Sequence, residues 1–301
     1  MADQVFISTS SFAKFDLRPL ELLRTAGYDV QINPYGRKMQ SAELAELARD
    51  AIGLIAGTET LDAETIEGLQ KIRVISRCGV GVDNVDHTAA AHRHIKVFNT
   101  PDAPTIAVAE LTVGLVLDCL RNISRLDRGL RAGEWNKVMG RRLSGKTVGI
   151  IGYGRIGRKV ASLLHAFGCK ILCHDPFSEH TPGAQRMELS ELLHVSDIVT
   201  IHCSTPNEIL GTKELSNMKA DAILINVARG GNVNEDELYV KLKAGKLAGA
   251  ALDVFSSEPY HGKLIELDNI VLTTHVGSYA RESRIQMEVE SVQNLIKGLE
   301  C

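Results

Sequence analysis

Three glycines, Gly152, Gly154 and Gly157, follow directly after the apolar run 147–151. The spacing G-x-G-x-x-G between a strand and a helix is typical of the turn that opens a βαβ unit. The first glycine permits a tight turn, the second leaves the backbone open to a ligand, and the third lets the helix pack closely on the strand. We therefore predict a helix that begins near Arg155 and a parallel sheet around it.

Short β-branched runs alternate with helical patterns along most of the chain. In the first part of the chain, the runs predicted as strands are 5–7, 30–32, 54–56, 74–76 and 95–98. In the later part they are 147–151, 170–174, 198–201, 223–227, 248–253 and 270–273. Strands that alternate with helices favour parallel sheets covered by helices on both faces. The sequence therefore predicts an α/β fold with two doubly wound, Rossmann-like domains and a cleft between them.

The boundary between the predicted domains lies near a long apolar segment. Residues 105–117 are almost wholly apolar, and the length of this run favours a buried helix over a strand. We expect one domain to consist of residues 1–98 and 276–301 and the other of residues 99–275. The amphipathic segment 280–299 is predicted as a helix that returns to the first domain and makes that domain discontinuous.

Charge and composition exclude several classes of partner. The formal net charge is −3 and the basic residues form no blocks, so we expect neither nucleic acid nor a membrane surface as a partner. No export signal is visible, and no apolar run approaches the roughly 20 residues that cross a bilayer. The six cysteines lack C-x-x-C spacing, which indicates reduced thiols, and no metal site is predicted. We expect a cytoplasmic protein that acts on small molecules.

An acidic residue follows the glycine turn at the distance expected of a dinucleotide-binding unit. Asp175 comes after the predicted strand 170–174, about 20 residues beyond the glycines. It would bind ribose hydroxyls, while the helix N-terminus at Arg155 and Ile156 would face the phosphates. A carboxylate at this position repels a 2′-phosphate, so NAD is favoured, although two nearby basic residues keep NADP open.

Polar side chains also follow three later apolar strands. They lie in the segments 226–231, 251–259 and 273–278, and they are Arg229, Asp253, Glu258 and His275. Because carboxyl ends of parallel strands line the crevice in which ligands bind, we expect these side chains to converge. Hydride addition to a ketone produces an alkoxide that needs a proton from a group titrating near neutrality, such as histidine. An arginine offers a planar fork for a carboxylate. Residues of these types could together support transfer of a hydride to or from a small acid.

Together with the glycine turn and Cys78-Gly79-Val80-Gly81-Val82-Asp83-Asn84-Val85-Asp86, these segments resemble the D-isomer-specific 2-hydroxyacid dehydrogenases. The similarity covers nearly the whole chain, with the motifs in family order. The chain is most similar to the phosphoglycerate dehydrogenase branch, as a short form without its regulatory domain. The resemblance implies an NAD-dependent enzyme that moves a hydride between nicotinamide and C2 of a small 2-hydroxy or 2-keto acid. Its first domain would bind the substrate and its second domain would bind NAD.

The resemblance also implies a role for each candidate residue. His275 would be the acid/base, Glu258 its partner and Arg229 the arginine that binds the substrate. Asp253 would bind the nicotinamide carboxamide. The implied cofactor contacts are Gly152, Gly154, Arg155, Ile156, Gly157, Asp175, His202, Ala228 and Asp253. The implied substrate contacts are Arg229 and the backbone of Gly79, Val80 and Gly81, a turn whose N–H groups would cradle a carboxylate.

The region after the third strand departs from the family pattern. Gly57 and Thr58 stand there, where phosphoglycerate dehydrogenases usually place an arginine that helps to recognise phosphate. Positive charge could come instead from Arg77, Lys137, Arg141 or Arg142. Hydroxypyruvate and glyoxylate therefore stay open as alternative substrates.

Two further alternatives concern function and assembly. The C-terminal binding protein corepressors resemble this family and use NAD to assemble with partners, so a binding protein without turnover is the rival class. Formate oxidation is disfavoured, because formate dehydrogenases of this family pair their histidine with glutamine, whereas Glu258 is acidic. The segment 105–120 is too hydrophobic for a lone surface helix, and the equivalent region of the family crosses to a second subunit. We therefore predict a homodimer.

Overall fold

A computed structural model describes residues 2–300 of the chain. It contains two compact units, one made of the residues up to Pro104 and from Ser278 on, the other of Thr105–Gly277. The strands are β1 (Gln4–Ile7), β2 (Asp29–Ile32), β3 (Gly53–Ala56), β4 (Val74–Arg77), β5 (Lys96–Phe98), β6 (Thr147–Ile151), β7 (Lys170–His174), β8 (Gln185–Arg186), β9 (Ile198–Ile201), β10 (Ile223–Asn226), β11 (Gly249–Leu252) and β12 (Ile270–Leu272). The helices are α1 (Arg18–Thr25), α2 (Ser41–Leu47), α3 (Ala63–Gly68), α4 (His87–His92), α5 (Thr105–Arg121), α6 (Ile123–Arg131), α7 (Arg155–Ala166), α8 (Leu189–Val195), α9 (Thr212–Asn217), α10 (Glu235–Lys243) and α11 (Arg281–Glu300).

The first unit is built on a parallel sheet with the strand order β2-β1-β3-β4-β5. Successive side chains of a strand point to opposite faces, so each face of β1 serves a different layer of helices. Phe6 packs in one apolar cluster with Ile66 of α3. Ile7 packs in a second cluster with Leu295 of α11. Burial of one such side chain contributes about 1.5–3 kcal/mol, and both layers are needed to cover the sheet.

The second unit is built on a parallel sheet with the order β12-β11-β10-β9-β6-β7-β8. On one face, Ile150 of β6 packs with Val116 of α5 and with α7. On the other face, Ile151 packs with Leu192 of α8 and with α10. The apolar segment predicted as a buried helix forms α5, in which Val116 is fully buried. The α/β class with two parallel sheets predicted from the sequence is confirmed.

Each sheet has one point at which the winding direction reverses. In the first sheet the two strands that meet there are β1 and β3, and in the second they are β6 and β9. Ligands of doubly wound proteins bind at the carboxyl ends of the strands that meet at such a point. Ser8 and Gly57 follow the two strands of the first sheet, whereas the glycine turn and His202 follow those of the second.

Two elements of the second unit do not follow from the sequence patterns named above. Helix α6 has no buried residue, so it lacks the packed apolar face that makes a helix recognisable. Strand β8 consists of two exposed residues at the edge of the sheet. Neither element carries a candidate site residue.

The cysteines of the described chain are free thiols. They are Cys78, Cys119, Cys169, Cys173 and Cys203, while Cys301 lies outside the described residues. Burial raises the pKa of the Cys119 thiol to about 12, so this group stays protonated at neutral pH. Within residues 2–300 no helix has the length and apolarity needed to span a membrane.

Candidate active site

The glycine turn after β6 has the geometry that its spacing predicts. Gly152 has φ of +89°, and a Cβ there would lie 2.6 Å from the backbone nitrogen of Cys203. A Cβ at Gly157 would lie 2.2 Å from the carbonyl oxygen of Gly152, so glycine is required for α7 to approach the strand. A Cβ at Gly154 would meet nothing within 4 Å. The open backbone at Gly154 leaves room for the pyrophosphate of a dinucleotide.

The start of α7 adds hydrogen-bond donors to this turn. Gly154 is the N-cap of α7 and no side chain caps it, so the first N–H groups of the helix remain available to an anion. Arg155 is exposed and Ile156 is half-buried at the first turn of the helix. These features fit the phosphate contacts predicted from the sequence.

Asp175 follows β7 and its carboxylate faces the same turn. Its Oδ2 accepts the N–H of Tyr153 at 2.7 Å, and its Oδ1 accepts the N–H of Phe177 at 2.9 Å. Each oxygen of a carboxylate can accept two hydrogen bonds, so each keeps capacity for a ribose hydroxyl. The two backbone contacts fix the carboxylate beside the glycine turn.

His202 follows β9, on the other side of the point where the second sheet reverses. Its N–H donates to the carbonyl of Ile151 at 2.7 Å, and its Nε2 lies 2.9 Å from Oγ1 of Thr200. Nδ1 is buried and has no hydrogen-bond partner among the described residues. Burial lowers the pKa of His202 to about 3, so the ring is neutral at physiological pH. A buried polar atom without a partner beside the glycine turn fits a site that binds a polar cofactor.

Arg229 lies in a loop that two buried asparagines hold. Asn226 accepts the N–H of Ala228 at 3.1 Å and donates from Nδ2 to the carbonyl of Arg229 at 2.8 Å. Asn232 accepts the N–H of Arg229 at 3.2 Å. The guanidinium donates from Nη1 to the carbonyl of Ala228 at 2.8 Å. The backbone that carries Arg229 is therefore fixed from both sides.

Gly230 brings this loop against the segment that carries Glu258. A Cβ at Gly230 would lie 1.8 Å from the carbonyl carbon of Phe255, so the two backbones touch. The strands that precede these segments are neighbours, with Asn226 paired to Leu252. The structure thus brings the Arg229 and Glu258 segments together at one edge of the sheet, as the sequence predicts.

His275 forms a direct pair with Glu258. Nδ1 of His275 lies 2.8 Å from Oε2 of Glu258, and Oε1 of the same carboxylate accepts the N–H of Phe255 at 3.1 Å. The side chains are 52% and 38% exposed, so the pair is open to a ligand. Because Nδ1 faces the carboxylate, Nε2 is the ring nitrogen left to exchange a proton with a substrate.

The backbone at His275 is strained and Asp253 holds it. His275 has φ of +56°, a conformation that costs a residue with a side chain roughly 1–3 kcal/mol. Asp253 is 1% exposed, and its Oδ1 accepts the hydroxyl of Thr273 at 2.6 Å and the N–H of Val276 at 2.9 Å. Its Oδ2 accepts the N–H of Gly277 at 2.8 Å. These three hydrogen bonds enclose His275 on both sides and fix its direction.

The predicted carboxylate cradle lies in the first unit, after β4. Gly79 has φ of +151° and is buried, whereas Val80 and Gly81 are half-buried. The carbonyl of Gly79 accepts the N–H of Thr100 at 3.0 Å, and the carbonyl of Val80 accepts Nδ2 of Asn99 at 2.7 Å. The N–H of Gly79 donates to the carbonyl of Arg77 at 3.0 Å, so the N–H groups that the turn can present to an anion are those of Val80 and Gly81.

Several residues of the site lie outside the predicted set. Asn226 and Asn232 hold Arg229, and Thr273 helps Asp253 to hold the His275 loop. All three stand in or directly beside the motifs that contain the candidate residues. Polar residues at the ends of buried strands were the available signal, because a buried amide or hydroxyl needs a partner.

Comparison with known proteins identifies the family. Residues 113–277 match the model of the D-isomer-specific 2-hydroxyacid dehydrogenase NAD-binding domain. The chain is 36% identical over 272 residues to hydroxypyruvate reductase of Thermotoga maritima, which covers 87% of this chain and 89% of that protein. It is 40% identical over 271 residues to D-3-phosphoglycerate dehydrogenase of Methanocaldococcus jannaschii, which covers 85% of this chain but 52% of that protein.

A solved structure extends the similarity to the whole fold. The TT0316 protein of Thermus thermophilus matches with a TM-score of 0.92 and 35% identity, over 99% of this chain and 97% of that one. The chain spans about half the length of the phosphoglycerate dehydrogenase it matches, at 52%. The family resemblance found in the sequence motifs is thereby confirmed. The chain belongs to the D-isomer-specific 2-hydroxyacid dehydrogenase family of NAD-dependent oxidoreductases that act on CH–OH groups.

Proposed function

We propose that the chain is an NAD-dependent D-2-hydroxyacid dehydrogenase that interconverts a small 2-hydroxy acid and its 2-keto acid, with His275 as the acid/base. The observation that carries the proposal is the 2.8 Å contact between Nδ1 of His275 and Oε2 of Glu258, on segments that follow neighbouring strands. The names of the relatives suggest 3-phosphoglycerate, hydroxypyruvate and glyoxylate as candidate substrates.

The proposed chemistry divides between the cofactor and the side chains of the chain. Bound NAD supplies or accepts the hydride at C2 of the acid. In the reductive direction, Nε2 of His275 delivers a proton to the oxygen on C2, and in the oxidative direction the neutral Nε2 removes it. Glu258, in contact with Nδ1, orients the ring.

Arg229 would bind the substrate carboxylate through its planar guanidinium and polarise the neighbouring keto oxygen. Its loop is held by Asn226 and Asn232, so little orientational freedom is lost when the substrate binds. In the first unit, the turn formed by Gly79, Val80 and Gly81 would bind a carboxylate as well, through the N–H groups of Val80 and Gly81, since the N–H of Gly79 donates to the carbonyl of Arg77.

The second unit would hold NAD through the glycine turn and the ends of four other strands. The residues proposed are Gly152, Gly154, Arg155, Ile156, Gly157, Asp175, His202, Ala228 and Asp253. Asp175 would bind the ribose hydroxyls and disfavour a 2′-phosphate. Oδ2 of Asp253 accepts one hydrogen bond from the protein and keeps capacity for the nicotinamide carboxamide.

For assembly and location, we propose a homodimer in the cytoplasm. Helix α6 has no buried residue and exposes Ile123 and Leu130 at 54% and 57%, while Trp135 further on is 82% exposed. Such apolar exposure supports a protein contact. The free thiols of the described chain support a reducing compartment. Gel filtration with light scattering at micromolar concentration tests the dimer, and a monomer would contradict it.

The activity is tested with NADH and a panel of 2-keto acids. We expect turnover by the wild type and a loss of about 10²–10⁴-fold in kcat in His275→Asn, with NADH binding kept. The matched control is His180→Asn, since His180 is exposed and lies outside the proposed site. Full activity in His275→Asn would remove this residue from the mechanism. NADH binding by the wild type without turnover of any acid would favour the corepressor-like alternative.

A further inference from the structure

A buried glutamate lies at the C-terminal ends of the strands of the first sheet, and it has no role in the proposed function. Glu59 lies just beyond β3 and is 2% exposed. Its Oε1 accepts the N–H of Gly57 at 2.8 Å and the hydroxyl of Ser8. Ser8 follows β1 and Gly57 follows β3, so Glu59 connects the two strand ends at the point where this sheet reverses.

The Glu59 carboxylate fills the space that a side chain at position 57 would need. A Cβ at Gly57 would lie 2.9 Å from Oε2 of Glu59 and 3.3 Å from Cα of Thr9. A long side chain such as arginine therefore cannot start from position 57 while Glu59 lies there. The Glu59 carboxylate thus occupies the space into which the side chain of an arginine at position 57 would extend.

The segment that carries Glu59 lies beside the turn 79–81. Ala56, at the end of β3, pairs with Arg77 at the end of β4, and the N–H of Cys78 donates to the carbonyl of Ala56 at 2.8 Å. Beyond the turn, Nδ2 of Asn84 donates to the carbonyl of Glu59 at 2.6 Å. The two strand-end segments are thus joined before and after the turn.

On its other side, the turn is hydrogen-bonded to the segment that follows β5. Nδ2 of Asn99 donates to the carbonyl of Val80 at 2.7 Å, and the N–H of Thr100 donates to the carbonyl of Gly79 at 3.0 Å. These contacts join the turn to the segment after β5. On the side towards β3, Glu59 is the neighbouring carboxylate that a ligand held by the turn would approach.

Charged side chains of both signs lie at the C-terminal ends of these strands, at different positions. The guanidinium of Arg77 lies over the turn, since a Cβ at Gly79 would be 1.4 Å from its Nη1. Arg284 pairs with Glu288 at 2.8 Å, so that pair is neutral overall. Across residues 2–300, Glu59 forms no ion pair with a lysine or arginine. The edge thus offers a cation over the turn and an anion on the neighbouring segment.

We infer that Glu59 is a specificity-determining residue that excludes a second anionic group, so that the chain acts on 2-keto and 2-hydroxy acids with an uncharged C3 substituent. The inference rests on the proposed function, because it takes the turn 79–81 as the site of the substrate carboxylate. A phosphate ester carries about 1.5–2 negative charges at neutral pH. Its repulsion by a buried carboxylate needs no direct contact and is weakly screened by salt.

The test compares hydroxypyruvate with its 3-phosphate ester as substrates for NADH oxidation. The wild type should prefer hydroxypyruvate in kcat/KM by about tenfold or more. In Glu59→Gln, which keeps the size of the side chain and removes the charge, the ratio of ester to hydroxypyruvate should rise by about tenfold. An unchanged ratio in this variant would overturn the inference.

The control variant is Ser8→Ala, which removes the hydroxyl that binds Glu59 and leaves the charge in place. Its ratio of ester to hydroxypyruvate should equal that of the wild type. An equal rise in both variants would show that loosening of the segment, and not charge, sets the preference.

If Glu59→Gln does not fold, the wild-type measurement still tests the inference. A kcat/KM for the ester equal to or above that for hydroxypyruvate would overturn it. Turnover of both acids without the expected preference overturns this inference and leaves the proposed function intact. Absence of turnover with either acid, in spite of NADH binding, overturns both.

Discussion

The carboxylate of Asp253 accepts the N–H of Gly277 at 2.8 Å, and this contact ties the loop that carries His275 to the end of β11. The hydroxyl of Thr273 binds the same carboxylate from the other side of His275. The proposed acid/base therefore depends on a buried group that does not touch it directly. A histidine with φ of +56° keeps this conformation because the surrounding hydrogen bonds enforce it.

Thr273→Val should misdirect His275 without removing any reacting group. The variant leaves Oδ1 of Asp253 with one donor fewer, which should lower the free energy of unfolding by about 1–2 kcal/mol. We expect kcat to fall by roughly tenfold, because a general acid that is misplaced transfers its proton poorly. Denaturant unfolding and steady-state kinetics measure the two effects. Thr274→Val is the matched control, since Thr274 is exposed. Equal kinetics in the two variants would contradict the role of Asp253 in positioning His275.

The glycine turn should separate folding from cofactor binding. Gly157→Ala places a Cβ 2.2 Å from the carbonyl oxygen of Gly152. We expect this overpacking to lower the free energy of unfolding by about 1–3 kcal/mol. Gly154→Ala meets no atom within 4 Å, so its thermal unfolding should match the wild type. If the pyrophosphate lies over this backbone, Gly154→Ala should nevertheless weaken NADH binding by about tenfold. Unchanged NADH affinity in Gly154→Ala would place the phosphates elsewhere.

Replacement of Asp175 should change cofactor preference. Asp175→Asn keeps an oxygen that can accept the N–H of Tyr153 but removes the charge that would repel a 2′-phosphate. The ratio of NADPH to NADH affinity should therefore rise by about tenfold. Fluorescence titration with both cofactors measures it, with Glu179→Gln as a control because Glu179 is an exposed acid on the next segment. An equal ratio in the wild type and Asp175→Asn would exclude this carboxylate from cofactor selection.

The lowered pKa of His202 should make the second unit sensitive to acid. Because burial lowers the pKa of His202 to about 3, the unfolded chain binds a proton below the ordinary histidine value of 6.5, whereas the folded chain does not. The contribution of His202 to the free energy of unfolding should therefore be fully present above pH 6.5. It should fall by up to about 1.4 kcal/mol per pH unit between pH 6.5 and pH 3. In His202→Gln, the free energy of unfolding measured with denaturant should depend less steeply on pH in this range. The exposed His180→Gln should keep the wild-type slope, and equal slopes in all three proteins would contradict the burial of His202.

The parts of the fold that follow from the sequence are those with a local steric cause. Gly152 and Gly157 occupy positions where the surrounding backbone leaves no room for a Cβ, so the spacing of the glycines predicts the turn and the helix after it. The segment 105–117 is apolar over several turns, and it forms the buried helix α5. By contrast, α6 is not predicted, although Ile123, Leu126 and Leu130 have a helical spacing, and none of its residues is buried.

The features of the site that do not follow from the sequence depend on contacts between distant segments. The conformation of His275 depends on Asp253, which lies more than twenty residues earlier in the chain. Glu59 stands among polar residues and resembles an ordinary surface glutamate until Ser8 is brought to it by the pairing of β1 with β3. A pattern of residue types carries no information on such pairings, since burial of a single acid is decided by the tertiary structure.

The position of α11 has a consequence for the order in which the chain can fold on the ribosome. This helix follows all the other elements in the sequence, yet Val292 and Leu295 pack with Leu23 of α1 in the apolar layer beneath β1. During synthesis, the five-stranded sheet therefore has one face only partly covered until α11 has emerged, whereas every element of the seven-stranded sheet precedes α11. The apolar core of the unit Thr105–Gly277 can thus be completed before that of the unit that begins the chain. This order is the reverse of the usual N-terminal-first folding.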